Sequence, residues 1–206
     1  MGTKERREKH KEGLRQLILD AAIELFVTEG YESTTMRKIA EKIDYSPPTI
    51  YFYFRDKAEL FDNICAETFG KLDQQMELLR AEVATEKSEP LVNLEKALRG
   101  YIDFGLRHPN HYTVTFILTS EFEANGGESR KKTTGLKTFG CMRQMVAEYL
   151  ISKNGTDVGV EETSQALWAA IHGVTSLLIT QKGFPFVEQK MLINKLVEIL
   201  IKGVRN

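Results

Sequence analysis

Two cysteines in 206 residues, Cys65 and Cys141, are too few and too far apart to build a disulfide framework or a thiolate metal cluster. Each fits the small, buried apolar role that free cysteine usually takes in a reducing compartment. No apolar run reaches the roughly 18 residues a bilayer span needs. The opening MGTKERREKHKEGLRQ is charged, with no apolar segment behind it, so it is not read as a signal peptide. A soluble cytoplasmic protein is the expectation. There is no surplus charge of one sign either: 28 Lys/Arg stand against 29 Asp/Glu, a formal net charge of −1, which argues against a non-specific nucleic-acid coat. Catalytic signatures are missing as well. The chain shows no paired Glu-x-x-His motifs, no phosphate loop and no Ser/Cys nucleophile elbow. His10, His108 and His111 lack a Cys or Asp/Glu arrangement at ligand spacing. An enzyme, a cofactor and a metal are therefore not expected.

What the chain does carry is helical periodicity from end to end. With 42% hydrophobic and 28% charged residues it has enough apolar material for a core. Leu14, Leu17, Ile18, Ala21, Ala22, Leu25 and Phe26 follow the i, i+3, i+4, i+7 rule, and Gly30 is a stop signal. Ser33, Thr34 and Thr35 offer caps for a short second helix whose inner face reads Met36, Ile39, Ala40 and Ile43. After a tight connection at Asp44-Tyr45, Ser46 caps a third helix with Pro47 and Pro48 in its first turn, running through Phe54. Asp56 opens a long fourth helix, and Glu59 completes a capping box. The polar stretch Thr85–Glu89 ends it, and Pro90 starts another helix that reaches about Arg107. Tyr112–Thr119 is β-branched and aromatic, yet its short length and helical neighbours favour a helix from about His111 to Phe122. Asn125–Gly127 breaks the pattern, and helices follow through Leu150, over about 161–181 and over about 187–203. The expected fold is all-α with about nine helices.

The stretch TTMRKIAEKIDYSPPTIYFYFRDKAELF concentrates the functional signal. Two short helices joined by a tight connection have the spacing of a helix-turn-helix, in which the second helix docks in the major groove. If Ile50 and Phe54 face the core, Thr49, Tyr51 and Tyr53 cannot all be buried. Exposed tyrosines suit O–H donation to phosphates. Lys57 adds a cation at a helix N-terminus where backbone N–H groups also attract phosphate. For Arg37, Lys38 and Arg55 a solvated face and a phosphate contact are equally open readings. Residues 1–60 hold 11 Lys/Arg and 11 Asp/Glu, so phosphate attraction must come from local placement. The arm Lys4 to Lys11 either reaches phosphates or the minor groove, or is a disordered tail.

These segments, AAIELFVTEGYESTTMRKIAEKI through SPPTIYFYFRDKAELF, resemble the tetracycline-repressor (TetR) family of regulators. Phe26, Gly30, Tyr31, Thr34, Thr35, Ile39, Ala40, Tyr51, Phe54, Lys57 and Leu60 stand at the family's pattern positions. The resemblance implies a DNA-binding domain over 1–57 and a helical ligand-binding and dimerisation domain over 58–206. It places phosphate contacts on Thr35, Tyr51, Lys57 and Tyr53; Thr34 and Arg37 are also expected among the DNA-binding residues. Ser46, Pro47, Pro48 and Thr49 would face base edges, and the Pro47-Pro48 pair departs from the Gly or polar residue of many relatives. Apolar contact with thymine methyls would then replace some hydrogen bonding. LWAAIHGVTSLLI, Leu167 to Ile179, resembles a Trp-His-Gly-bearing C-terminal domain of one branch.

The implied function is a homodimeric, effector-released repressor on a pseudo-palindromic operator. Dimer contacts are expected at Leu167, Trp168, Ile171, His172, Val174 and Leu178 of one helix and Leu192, Leu196 and Ile199 of the next, with Gly173 and Ala166, Ala169 and Ala170 as a small-residue face. Phe69, Tyr101, Phe104, His108, Tyr112, Phe116 and Phe139 are candidate pocket residues for an apolar or aromatic effector, or else ordinary core. A constitutive DNA-binding protein without an effector is the competing class. A helical-bundle enzyme is disfavoured by the missing motifs.

Overall fold

The structure, a computed structural model, describes residues 2–86, 88–118 and 131–205. Among the described residues there are nine α-helices and no strand: α1 (Thr3–Glu29), α2 (Met36–Lys42), α3 (Pro47–Tyr53), α4 (Lys57–Glu86), α5 (Pro90–Arg107), α6 (Pro109–Tyr112), α7 (Lys131–Asn154), α8 (Val160–Thr180) and α9 (Gln189–Arg205). The all-α expectation is met. No helix of the described residues is long and apolar enough to cross a membrane. Phe122 and the Asn125–Gly127 break lie outside the described residues, as does Lys87.

The chain divides into two compact units, one of Met1–Thr68 with Asn110–Lys131 and one of Phe69–Pro109 with Lys132–Asn206. This division falls inside α4. In the first unit Ile18, Leu19, Ala22 and Phe26 of α1 close on Ile39 and Ala40 of α2, Ile50 of α3, and Leu60, Phe61 and Ile64 of α4. Val114 joins the same core. It sits in a π-helical turn, Thr113–Ile117, that continues α6 and is closed by Leu118 N–H donating to the Thr113 carbonyl at 2.9 Å. The described part of the β-branched run, Tyr112–Ile117, thus stays helical, with Tyr112, Val114 and Thr115 buried. Tertiary burial has overridden its strand propensity.

In the second unit α5 packs on α8 and α9, and α8 packs on α9. Leu94, Leu98 and Ile102 of α5, Leu167 and Ile171 of α8 and Val197 of α9 are buried there. Polar ties fix the helices along their length. Gln75 donates to the Gly100 carbonyl at 2.8 Å, Thr138 to Asp73 at 2.6 Å, and Arg99 to Asn194 at 2.8 Å.

Helix α1 begins eleven residues before Leu14, its first buried residue, so the basic arm is helical. Its end is set by Gly30, at φ 84 and ψ 162. That region is essentially reserved for glycine, so a side chain there costs about 1–3 kcal/mol. Gly13 is the opposite case, exposed in mid-helix with open space around it. Gly30→Ala should therefore lower the urea midpoint of unfolding, while Gly13→Ala should raise stability by about 0.5–1 kcal/mol through helix propensity. Equal effects of the two changes would contradict this account of where α1 stops.

Candidate nucleic-acid interface

Helices α2 and α3 are joined by Ile43–Ser46, a turn in which Tyr45 N–H returns to the Ala40 carbonyl at 3.0 Å and Asp44 takes φ 58. Aspartate tolerates that left-handed conformation better than most residues. Thr35 caps α2, its hydroxyl accepting from Lys38 N–H at 3.2 Å, and the residue is exposed. Thr34 departs from the expected face. It is buried, and its hydroxyl donates to the Gly30 carbonyl at 2.8 Å, which ties the α1–α2 turn.

Helix α3 has Pro47 and Pro48 in its first turn, where absent N–H groups cost little. Ser46 precedes them but makes no bond to the backbone as a cap; its hydroxyl pairs with that of Thr49 at 2.9 Å. Ile50 and Phe54 point into the core at 0% and 2% exposure. Tyr51 is left 54% exposed and Phe52 74% exposed. Tyr53 is half-buried, packed on the core and edge-on to Phe52 at 5.4 Å. Pro48 is exposed, while Pro47 and Thr49 are half-buried. Phe52 escaped the sequence reading, although two residues from either inward anchor is where an outward side chain must fall.

The cations of this unit are mostly engaged. Arg37 bonds Glu41 at 2.7 Å, Lys38 bonds Glu29 at 2.5 Å, Lys42 bonds Glu24 at 2.6 Å, and Arg55 bonds Asp56 at 2.8 Å. Lys57 is half-buried. Its ammonium donates to the Tyr31 carbonyl at 2.6 Å and sits 4.1 Å from the Tyr31 ring centroid. Burial holds its pKa below the ordinary lysine value, with Glu32 opposing. The α4 N-terminus is also occupied: Asp56 accepts from Glu59 N–H at 2.8 Å. Glu59 reaches back to Arg55 N–H at 2.7 Å, one residue earlier than a capping box requires. Lys57 therefore acts as an internal clamp between α4 and the α1–α2 turn. Burial, then Glu32, Asp56 and Asp62, push the Tyr31 phenol up to about 12.

The expected pocket residues divide between the units. Phe69, Tyr101 and Phe104 are buried in the second unit, with His108 and Phe139 half-buried. Tyr112 and Phe116 lie in the first unit, their rings 4.7 Å apart. Residues assigned separately to pocket and dimer meet in one cluster. Trp168 Nε1–H donates to the Tyr101 hydroxyl at 3.4 Å, the Tyr101 hydroxyl pairs with His172 Nδ1 at 3.2 Å, and Phe139 stands edge-on to Trp168 at 5.9 Å. Ser176 pairs with His172 Nε2 at 3.4 Å. Of the expected dimer contacts, Leu167, Ile171 and Val174 are buried within their own protomer, because α8 turns them onto its neighbours. His172, Leu178, Leu192 and Leu196 are half-buried, and Trp168 and Ile199 are exposed. Leu177, Met191, Phe184 and Val187 are exposed apolar residues that the sequence reading left out.

The profile of the bacterial regulatory proteins of the tetR family matches residues 18–64, spanning the helix-turn-helix. The profile of the tetracyclin repressor-like C-terminal domain matches residues 94–201, more than half of the chain. The chain belongs to the TetR family. As such it is a sequence-specific DNA-binding transcriptional regulator. It is 26% identical over 195 residues to the fatty acid metabolism regulator protein of Bacillus subtilis, covering 92% of this chain and 94% of that one. The HTH-type transcriptional repressor KstR of Rhodococcus jostii is 38% identical over 61 residues, 30% of this chain and 29% of that protein. Among solved structures, FadR of Bacillus subtilis in complex with stearoyl-CoA superposes with a TM-score of 0.66 at 19% identity, covering 91% of this chain and 98% of that one. A tetR-family regulatory protein of Rhodococcus RHA1 reaches a TM-score of 0.71 at 18% identity, over 92% and 96% of the two chains. At these identities the superpositions establish the shared fold.

In this TetR-family chain the short α3 is presented by its two flanking turns, so the cap at Asp56 has a measurable consequence. The Glu59 N–H bond, then Arg55, hold the Asp56 carboxyl below its ordinary pKa. Its contribution is therefore present above the unfolded value of about 4 and is lost as pH falls through the lowered folded value. Asp56→Ala should cost about 1 kcal/mol at neutral pH. The gap between variant and parent in urea unfolding should close as the pH is taken down towards 3; a gap of constant size would contradict the assignment.

Proposed function

We propose that this regulator is a homodimeric repressor that leaves a two-fold-related operator when a small apolar or aromatic effector binds. Residues 1–57 carry the DNA function in this reading, and residues 58–206 carry effector binding and dimerisation. The observation that carries it is the outward face of α3, with Tyr51 exposed beside the exposed Thr35 cap of α2. Thr35, Tyr51 and Arg37 are the proposed phosphate contacts, with the Tyr53 hydroxyl at the margin. Ser46, Pro47, Pro48 and Thr49 face the bases, where apolar contact with thymine methyls and the paired hydroxyls of Ser46 and Thr49 do the reading. Thr34 and Lys57 hold this face from behind through the Gly30 and Tyr31 carbonyls.

Dimerisation is proposed through the exposed faces of α8 and α9. Ala166, Ala169, Gly173 and Leu177 recur at helical spacing, Ala166, Ala169 and Leu177 being exposed, and a Cβ built on Gly173 meets nothing within 4 Å. Ile199 and Met191 continue an apolar surface on α9. Small residues of this kind let a partner helix approach closely in a four-helix bundle. Trp168, His172 and Gly173 form the Trp-His-Gly element of the domain, with His172 and Trp168 joined to Tyr101. The buried aromatics Phe69, Tyr101 and Phe104, with Phe139 and His108, supply the apolar environment for an effector in the second unit. The relative solved with stearoyl-CoA makes a long-chain acyl thioester the first probe.

Selection of bound duplexes from a random pool should return a two-fold-symmetric consensus. Tyr51→Phe should weaken binding to it about tenfold, the value of one hydrogen bond to a charged group. A pool with no enriched sequence would refute the DNA assignment. A Cβ at Gly173 meets open space within the protomer, so Gly173→Leu should leave helicity unchanged while sedimentation shows a monomer. A Gly173→Leu variant that stays dimeric would remove this face from the interface.

A further inference from the structure

Helix α1 projects well beyond the core that holds it. Its first buried residue is Leu14, and the helix starts at Thr3. At 3.6 residues per turn, Lys4, Arg7 and Lys11 fall on the same face as Leu14 and Ile18, the face that packs against the helix-turn-helix. The geometry at α3 agrees: the Lys11 ammonium lies 5.7 Å from the centroid of Phe52, the most exposed aromatic of that helix. At Lys11 the projecting stretch of α1 thus meets the outward face of α3, within the same unit.

Lys4, Arg7 and Lys11 share one face; Glu8 borders it, while Glu5, Arg6, Lys9 and Glu12 lie further round the helix. Arg15, the next cation towards the core, is already engaged with Asn63 at 2.6 Å and stands over the Phe54 ring. Among the described residues, Lys4, Arg7 and Lys11 make no ion pair, and all three are exposed. Arg7 and Lys11 are a like-charge i, i+4 pair, an arrangement that weakens an isolated helix. An anionic partner would reverse that cost. The stripe spans about 10 Å along the helix axis at about 1.5 Å per residue, a length matched by several phosphate charges of a duplex.

We infer that the projecting first turns of α1 are a second DNA-contacting element, in which Lys4, Arg7 and Lys11 engage the phosphates flanking the site read by α3. This rests on the DNA reading of α3 given above and extends it to an element that carries affinity without sequence information. Phe52 positions the stripe through Lys11.

The test is the salt dependence of binding by the full chain to the duplex recovered from the random pool. Replacing Lys4, Arg7 and Lys11 together by Ala should make the slope of log K against log salt shallower by about 0.9 for each phosphate no longer neutralised, up to about 3 per bound protomer. The recovered consensus should stay the same. The control Arg6→Ala with Lys9→Ala changes two charges on the other faces and should leave the slope at its parent value. A triple variant with the parent slope overturns the inference, as does a control that loses as much slope per charge as the triple variant. A parent chain with no preferred sequence is a different result, and it removes the DNA reading itself.

Discussion

The burial of Ile50 and Phe54 against Phe26 and Phe61 is the constraint on which the DNA-facing surface depends. A helix of seven residues does not persist in water on its own, since nucleation costs more than so few bonds return. Two inward side chains, each contributing about 1.5–3 kcal/mol by burial, hold α3 to the bundle and fix its rotation. Once that rotation is set, Tyr51 and Phe52 have no direction left except outward, and the prolines of the first turn stand at the exposed end. The turn on either side is tied by polar contacts: Asp56 caps α4, and Lys57 and Thr34 lock the α1–α2 connection.

The same unit shows how a protein with no net positive charge can present a basic surface. Several of its cations are matched to carboxylates within the fold, as in Lys38 with Glu29 and Lys42 with Glu24. These exposed pairs contribute little to stability. What they do is remove charge from faces where it has no partner. Lys4, Arg7 and Lys11, on one face of the start of α1, are among the cations left without an ion pair in the described residues. Bulk charge near zero and a directed local field are compatible for this reason.

The helices and their order could be read from the sequence because apolar spacing near 3.6 is explicit in α1, α2, α5 and α8. The π turn could not, since Tyr112–Ile117 has strand-like composition and its helical state depends on burial of Tyr112, Val114 and Thr115. Thr34 and Lys57 were recognisable as important residues, but pattern alone does not say whether a hydroxyl or an ammonium turns towards a carbonyl or towards solvent. Phe52 was overlooked because a phenylalanine is expected inside, though its spacing from Ile50 and Phe54 already forbade that. Trp168 and His172 stand 67 and 71 positions from Tyr101, so their meeting could come only from how α5 packs on α8.

The most direct test of the account is hydroxyl-radical footprinting of side chains, read by mass spectrometry, with and without the selected duplex. Tyr51 and Phe52 should lose reactivity on binding, while Leu136 and Val158, exposed in the second unit, should keep theirs. Undiminished reactivity at Tyr51 and Phe52 in a fully bound sample would contradict the claim that the outward face of α3 meets DNA.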